Sequence, residues 1–169
     1  MDKSLFRRSA NRLFALLARF APGATTLRPM LHRARGVKIG RNVFIGDDVY
    51  LDNEYPEAIE IEDDVQISIR AVVIAHTRGP GRVIIKNAAF VGPHAVVACS
   101  AGRTLTIGEG AVVSAGCIVT KNVPPRIVLM PAPGHVSARA TVALTTAKTM
   151  EEFYSGLRSA HSQDTPENK

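Results

Sequence analysis

The chain has 169 residues, the length of one ordinary domain, and its 21 lysines and arginines against 15 acids give a formal net charge of +6. Aromatic residues make up 5% of the chain and no base-stacking motif is found, so a nucleic-acid-binding protein is not expected despite the charge. The two cysteines, Cys99 and Cys117, are too few for a disulfide framework and lack metal-ligand spacing. We therefore predict two buried thiols and a reducing, cytoplasmic setting.

The first 35 residues carry the whole charge excess, with eight lysines and arginines and one acid, Asp2. The stretch LFRRSANRLFALLARF (5–20) distributes leucine and phenylalanine among arginines, which predicts a basic amphipathic helix. Its apolar run LFALLA is too short for a secretory signal core or a membrane span. Three interpretations stay open: a helix packed on the end of the next domain, a helix in peripheral contact with a membrane surface, or an organellar presequence. The first is the default.

From residue 36 onward, an aliphatic residue recurs every six positions. A period of six suits one short strand and one corner, so three units close a triangular coil that advances by one strand spacing of roughly 4.8 Å. The recurring residues would then stack inside as ladders. We predict an all-β domain, a parallel β-helix of hexapeptide repeats, over residues 36–125. The repeating positions are Ile39, Ile45, Leu51, Ile61, Ile67, Val73, Ile85, Val91, Val97, Ile107, Val113 and Val119.

Breaks in the period predict loops. EYPEA (54–58) and SAGRT (100–104) interrupt the phase, whereas TRGPGR (77–82) is either a degenerate unit or a loop. VPP (123–125) is expected to end the coils, because proline cannot donate a ladder hydrogen bond. Residues 126–160 then form an extended segment and a short helix, in which Thr149 and Glu152 have capping-box spacing. The polar tail 161–169 is predicted to be disordered.

Charge is also uneven within the coils. Residues 42–69 contain nine acids and no lysine or arginine, whereas residues 70–140 contain eight basic residues and one acid, Glu109. A small polyanionic ligand along the later coils is one interpretation. A solvated charged surface is the other.

The motifs VKIGRNVFIGDDV, LTIGEGAVVSAGCIVTKNVPP and VVIAHT resemble those of the hexapeptide-repeat acyltransferases, over roughly residues 36–136. The chain is most similar to the maltose, galactoside, capsule and O-antigen O-acetyltransferases of that superfamily. The resemblance implies a left-handed β-helix that assembles as a homotrimer, with active sites in the clefts between neighbouring copies. It also implies transfer of an acetyl group from acetyl-CoA to a sugar hydroxyl or an amine, without a covalent enzyme intermediate or a metal.

His76 falls where the family has its catalytic base. Histidine can accept a proton near neutral pH, and a positioned base contributes on the order of 10²–10⁴-fold. The alternative is an exposed histidine at a corner. By the same resemblance Asn53, or Asp52 beside it, binds the acceptor. The predicted acetyl-CoA contacts are Phe90, Gly92, Ala115, Thr120, Lys121 and Arg126.

The sequence departs from the family pattern at two places. Pro93 stands where relatives offer a backbone N–H toward the acetyl oxygen, so another amide, such as that of Gly92, would have to replace it. PAPGH places His135 where relatives carry lysine. The loop after His76 is also short, which favours a bulky acceptor such as a glycan or a lipid-linked sugar.

Two other functions remain open from the sequence. The first is a catalytically reduced scaffold solenoid, favoured by Pro93 and the altered PAPGH segment. The second is a zinc protein similar to γ-type carbonic anhydrases, in which His76 and His94 would stack if TRGPGR were a coil unit. A third histidine inside the coils is missing for that site.

Overall fold

The computed structural model describes residues 5–134 and 136–159. The chain divides into two units, Met1–Pro131 and Ala132–Lys169. The first unit begins with two helices, α1 (Leu5–Phe20) and α2 (Leu27–Ala34), and continues as a parallel β-solenoid of about four turns with a single-turn 3₁₀ helix at Pro56–Ala58. The predicted disordered tail (161–169) and His135 lie outside the described residues.

Within the described residues, the strands of the solenoid form three parallel sheets, one on each side of the coil. The first sheet contains β1 (Lys38–Ile39), β4 (Ile59–Ile61), β7 (Arg82–Ile85) and β10 (Thr104–Ile107). The second contains β2 (Phe44–Ile45), β5 (Gln66–Ile67), β8 (Phe90–Val91), β11 (Val112–Val113) and β13 (Val128–Leu129). The third contains β3 (Tyr50–Leu51), β6 (Val72–Thr77), β9 (Val96–Ser100) and β12 (Ile118–Val119).

The strand register confirms the predicted ladders. Ile39 pairs with Ile61, Ile61 with Ile85, and Ile85 with Ile107 along the first sheet. The second and third sheets align their own members of the series in the same way. Nearly all of these side chains are buried in one aliphatic core. The β-solenoid prediction is therefore confirmed; its left-handed sense stays a prediction.

Coil length varies at one corner only. Successive anchors are six residues apart from the first sheet to the second, and again from the second to the third. From the third sheet back to the first, the gap is 10 residues after Leu51, 12 after Val73 and 10 after Val97. Residues 78–81 of TRGPGR are therefore a loop at this corner, because Val73 pairs with Val97, 24 residues away, and not with a residue one 18-residue coil later.

The two constant corners share a backbone conformation. At the first-to-second corner Asn42, Asp64, Ala88, Gly110 and Arg126 all have φ between 55° and 62°. The second-to-third corner repeats this with Asp48, Arg70, His94 and Gly116. A left-handed residue at the same place in every coil gives each turn the same geometry, which fixes the six-residue spacing.

Arginines of the N-terminal segment close the first end of the solenoid. The anchor carbonyls of the first coil point away from the second coil and need other donors. Arg33 Nε donates to Ile39 O at 3.1 Å, on the first sheet. On the other two sheets, Arg28 Nη1 donates to Ile45 O at 3.0 Å and Arg35 Nη2 to Leu51 O at 3.1 Å.

The N-terminal helices thus pack on the solenoid, as the default interpretation predicts. Ala15 and Ala18 of α1 are buried, and the backbone of this segment accepts hydrogen bonds from Ile45 N and Asp48 N. Among the described residues, no helix combines the length and apolar character needed to cross a membrane.

At the other end, pairing continues past the prolines that were expected to stop it. Val123 forms a bridge with Ile107, and β13 adds a strand beside β11, with Val112 opposite Val128. Pro124 and Pro125 lie at the corner between these two interactions, where no ladder N–H is required of them. The pairing of the first unit therefore ends at Leu129.

The second unit contains α3 (Met150–Ser155) between β14 (Ala138–Ala140) and β15 (Leu157–Ser159), which pair antiparallel. Thr149 caps α3 by accepting a hydrogen bond from Glu152 N at 3.1 Å. The Glu152 carboxylate accepts from Lys148 N at 2.8 Å, one residue before the cap. The predicted helix start is confirmed.

Candidate active site

His76 and Asp52 meet at the third-to-first corner. His76 lies near the end of β6, and Asp52 directly follows β3, the strand that pairs beneath it. Asp52 Oδ2 is hydrogen-bonded to His76 Nδ1 and also accepts from Ala75 N at 2.9 Å. The pairing of two neighbouring coils therefore creates a carboxylate–imidazole pair.

The Asp52 carboxylate is fully engaged. Its Oδ1 accepts from Glu54 N at 2.9 Å and from Tyr55 N at 3.1 Å, and the residue is 0% exposed. A buried carboxylate with both oxygens bound to the protein cannot also reach an acceptor sugar. These contacts do not favour acceptor binding by Asp52, and they show that its carboxylate holds the His76 ring.

This contact determines where the His76 proton resides. An ionised carboxylate can only accept a hydrogen bond, so Nδ1 carries the hydrogen and Nε2 keeps its lone pair. The side chain is 34% exposed, and the Tyr55 ring lies 5.6 Å from the imidazole, centroid to centroid. The arrangement holds an imidazole with a free basic nitrogen at a partly open corner, and the carboxylate would stabilise the positive charge after proton uptake.

Asn53 is held by a buried arginine. Arg35 Nη2 donates to Asn53 Oδ1 at 2.7 Å and to Asp52 O at 2.8 Å. Because the amide oxygen already accepts from Arg35, the amide NH₂ group of Asn53 remains as the donor for another partner. The role of Arg35 is not marked by any motif, and its only signal in the sequence is its place directly before the first coil.

His32 completes this network but is not a second base. Arg35 Nη1 lies 2.9 Å from His32 Nδ1, and His32 is 1% exposed. Burial, together with the nearby charge of Arg35, lowers the pKa of His32 to about 3. Burial also lowers the pKa of Arg35, to about 10, against the attraction of Tyr50 and Asp52. Arg35 therefore keeps its proton near neutral pH, and His32 is its neutral acceptor.

Five of the six predicted acetyl-CoA contacts fall into two groups. Phe90 lies on the second sheet, and Gly92 and Ala115 lie at the second-to-third corner. Thr120 and Lys121 follow β12 at the third-to-first corner, the same corner as His76. Within one chain the third sheet separates the two groups.

Gly92 has a packing role that limits its chemistry. A Cβ at this position would lie 2.7 Å from Ala115 N, so only glycine lets the two coils approach. Its N–H donates to Val113 O at 2.8 Å. This amide therefore takes part in coil pairing, which does not favour the suggestion that it replaces the missing N–H of Pro93 as an oxyanion donor.

Arg126 does not lie at the same corner of the solenoid as Lys121. It lies at the first-to-second corner, where its N–H donates to Glu109 O at 2.9 Å.

Thr120 and Lys121 border a cavity of about 240 Å³ that Ile118 and Leu129 also line. A larger groove of about 760 Å³ runs past the first-to-second corner, but none of the predicted site residues lines it.

The proposed stacking of His76 and His94 does not occur. His94 lies at the second-to-third corner, 24 residues after Arg70, which has the same left-handed backbone conformation, whereas His76 lies at the third-to-first corner. The N–H of His94 donates to Ile69 O. Over the described ranges, no cluster of three or more histidine, cysteine, aspartate or glutamate residues has metal-site geometry.

Both cysteines are buried, as predicted, with Cys99 Sγ 3.2 Å from Arg103 O and Cys117 Sγ 3.3 Å from Leu129 O.

A comparison with known proteins adds to this geometry. The chain is 29% identical over 110 residues to the galactoside O-acetyltransferase of Escherichia coli (strain K12), a match that covers 59% of this chain and 52% of that protein. The matched stretch thus spans about half the length of this relative. No family model matches the chain.

The parallel coils and this partial similarity fit the hexapeptide-repeat acyltransferase superfamily, which the sequence motifs resemble. At family level the similarity supports an acetyltransferase. The candidate base, His76, and its carboxylate partner, Asp52, lie on adjacent coils.

Proposed function

We propose that the protein is an acetyl-CoA-dependent O-acetyltransferase that modifies a hydroxyl group of a sugar or glycan. The observation that carries the proposal is the Asp52–His76 pair at an open corner of a hexapeptide-repeat solenoid. The relative named a galactoside O-acetyltransferase supports both the reaction class and the sugar acceptor.

In the proposed reaction, His76 Nε2 takes the proton of the acceptor hydroxyl as its oxygen attacks the thioester carbon of acetyl-CoA. The new C–O bond forms, the C–S bond breaks, and the coenzyme A thiolate leaves and receives the proton. Asp52 holds the ring and stabilises the transient imidazolium. The NH₂ group of Asn53, oriented by Arg35, would donate to an oxygen of the acceptor.

The outer faces of the sheets support a homotrimer. On the second sheet, the outward column consists of Phe44, Gln66, Phe90, Val112 and Val128, which are all apolar except Gln66. The third sheet carries Tyr50, Val72, Val96 and Ile118 in the same way, and Ile118 is 74% exposed. The first sheet has Lys38, Glu60, Ile84 and Thr106 in its outward column. Two mainly apolar sides and one mainly polar side suit a threefold assembly in which each copy contacts two others.

Such an assembly would also join the two groups of predicted acetyl-CoA contacts. The third-to-first corner of one copy, with His76 and Lys121, would face the second-to-third corner of its neighbour, with Gly92 and Ala115. An acetyl-CoA site shared between copies needs both groups, and one chain alone keeps them at opposite edges of a sheet. Lys121 would bind the coenzyme phosphates.

A compact loop beside His76 favours a bulky acceptor. Gly79 N donates to His76 O at 3.2 Å, and Gly81 N donates to Ala75 O at 2.7 Å. These two bonds fold residues 77–81 back onto the end of β6. Because no long lid extends from this corner, an oligosaccharide or a lipid-linked sugar has room to approach.

The decisive experiment measures coenzyme A release from acetyl-CoA by the full chain with a panel of monosaccharide and oligosaccharide acceptors. We expect His76→Ala to lower turnover by about 100-fold or more, the contribution of a positioned base. His94→Ala is the matched control, since His94 is an exposed corner histidine without a carboxylate partner among the described contacts. It should retain wild-type turnover.

The other outcomes distinguish the alternatives. Unchanged turnover in His76→Ala would remove this histidine from the mechanism. No turnover with any acceptor would favour a scaffold solenoid, and zinc-dependent CO₂ hydration would favour the carbonic-anhydrase alternative. Equal activity on free monosaccharides and oligosaccharides would contradict the bulky acceptor.

A further inference from the structure

Helix α1 turns its small residues toward the solenoid and leaves four of its large apolar residues exposed. Asn11, Ala15 and Ala18 are between 1% and 6% exposed and form the inward face. On the opposite face Leu13 is 57% exposed, Leu16 55%, Leu17 49% and Phe20 69%. These four positions follow the i, i+3, i+4, i+7 spacing of a single helical stripe. The contact with the solenoid therefore leaves the apolar stripe of α1 uncovered.

Basic side chains border this stripe. Residues 5–20 contain four arginines and no acid. At 100° per residue, Arg8, Arg12 and Arg19 fall together on one flank of the stripe. Their side chains are 51%, 70% and 38% exposed and pair at the surface with Glu54 or Asp48. Exposed ion pairs of this kind are worth roughly 0–1 kcal/mol, so they can be exchanged for contacts to phosphate.

An apolar stripe with a basic border is the pattern of a helix that lies in a membrane interface. A second copy of α1 is a poor occupant, since pairing two such helices would oppose arginines to arginines with no acid on either helix. An anionic lipid surface suits both the apolar stripe and its basic border. The leucines can pack among the acyl chains, and the guanidinium groups can donate hydrogen bonds to the headgroup phosphates. α1 would lie on the bilayer, since it lacks the length and apolar character to span one.

We propose that α1 docks the protein on an anionic lipid surface, with Leu13, Leu16, Leu17 and Phe20 at the boundary between headgroups and acyl chains. Arg8, Arg12 and Arg19 contact lipid phosphates on the flank. Arg8 and Arg12 both bind Glu54, two residues after Asp52. The docking face thus adjoins the corner that holds His76. The inference needs no assumption about the chemistry at that corner.

The test is flotation of the full chain with vesicles of phosphatidylcholine, with and without phosphatidylglycerol. We expect binding to the anionic vesicles, weaker binding to the neutral ones, and release by added salt. Leu16→Gln should lower the partition coefficient about tenfold, since it removes a large apolar contact. Arg12→Gln should lower it by up to about fivefold on anionic vesicles only.

Leu144→Gln is the matched control, because Leu144 is also 55% exposed but belongs to the second unit. It should partition like the wild type. Unchanged helical content in all variants would show that they fold. Equal binding of wild type and Leu16→Gln would overturn the proposal. So would a lack of vesicle binding combined with self-association that Leu16→Gln abolishes, since the stripe would then belong to a second copy.

Discussion

The two ends of the solenoid are closed by different means. At the first end, three arginines from outside the coil each donate to the anchor carbonyl of one side, and two of them, Arg28 and Arg35, are at most 6% exposed. At the second end the chain uses its own backbone. Val123 bridges to the first sheet and β13 extends the second, while in the described part of the chain the third sheet ends at β12.

This difference explains the uneven charge of the sequence. A stack of parallel coils can end its ladder only if other groups satisfy the last carbonyls. Guanidinium groups, with five N–H donors in a rigid fork, can reach several carbonyls from one helix. The basic residues of the first 35 positions are thus in part structural. The first end should depend on single side chains, and the second end on close backbone packing.

The largest effect is expected at Arg35. Arg35→Met removes the donor shared by Leu51 O, Asp52 O, Asn53 Oδ1 and His32 Nδ1, and leaves these acceptors buried without it. We expect the free energy of unfolding to fall by about 3 kcal/mol. Urea denaturation of the full chain measures it.

Arg33→Gln is the control for Arg35→Met. Arg33 has the same carbonyl-capping geometry on another side, but it is exposed to water. Its loss should cost about 1 kcal/mol or less, because water can replace the donor. Equal losses at both positions would refute the view that burial makes Arg35 the central residue of this end.

At the second end we expect an intermediate effect from Gly108→Ala. A Cβ here would lie 2.4 Å from Pro125 N and 2.7 Å from Pro124 C, and backbone atoms of two prolines cannot move aside easily. Overpacking of this kind costs about 1–3 kcal/mol. Gly134→Ala, with no atom within 4 Å of the added carbon, should leave thermal unfolding unchanged. A wild-type melting temperature for Gly108→Ala would show that the end is looser than described.

His32 is expected to have the smallest effect on the free energy of unfolding at neutral pH, and a clear effect in acid. Its folded pKa of about 3 lies below the unfolded value of 6.5, so unfolding takes up a proton between these pH values. Stability is unaffected above pH 6.5 and falls as the pH drops toward 3. At pH 5 the loss is about 2 kcal/mol.

His32→Gln should remove that part of the acid loss while keeping an acceptor for Arg35. Urea midpoints at pH 7.5 and pH 5 give the comparison. His94→Gln, at an exposed corner, should keep the wild-type pH dependence. If His32→Gln lost as much stability in acid as the wild type, the buried imidazole would not be the neutral group described here.

Much of the fold could be predicted because one period governs it. The six-residue spacing identified the inward residues of all three sheets, since only those positions must be aliphatic. The same spacing also indicated the loops, because Glu54–Ala58 and Ser100–Thr104 break the phase at one corner. Pairing beyond Pro125 was missed, since only four residues separate Val119 from Val123 and the six-residue period no longer marks this corner.

The site was predicted less completely. His76 and Asn53 were proposed from a motif and stay predictions. The contact between Asp52 and His76 depends on which residues face each other across coils, 24 positions apart. That register follows from the loop lengths, and the sequence left open whether TRGPGR is a loop or a coil unit. Arg35 and His32 were missed because a helix outside the repeat contributes them, and no period connects that helix with β3.

One corner of the solenoid is free to change length while the other two are not. The left-handed residues that recur at the constant corners keep every coil in step, so additions and deletions can accumulate at the remaining edge without disturbing the core. That edge carries His76. A longer loop grafted between Thr77 and Arg82 would therefore change the surroundings of His76 while leaving the three ladders in register.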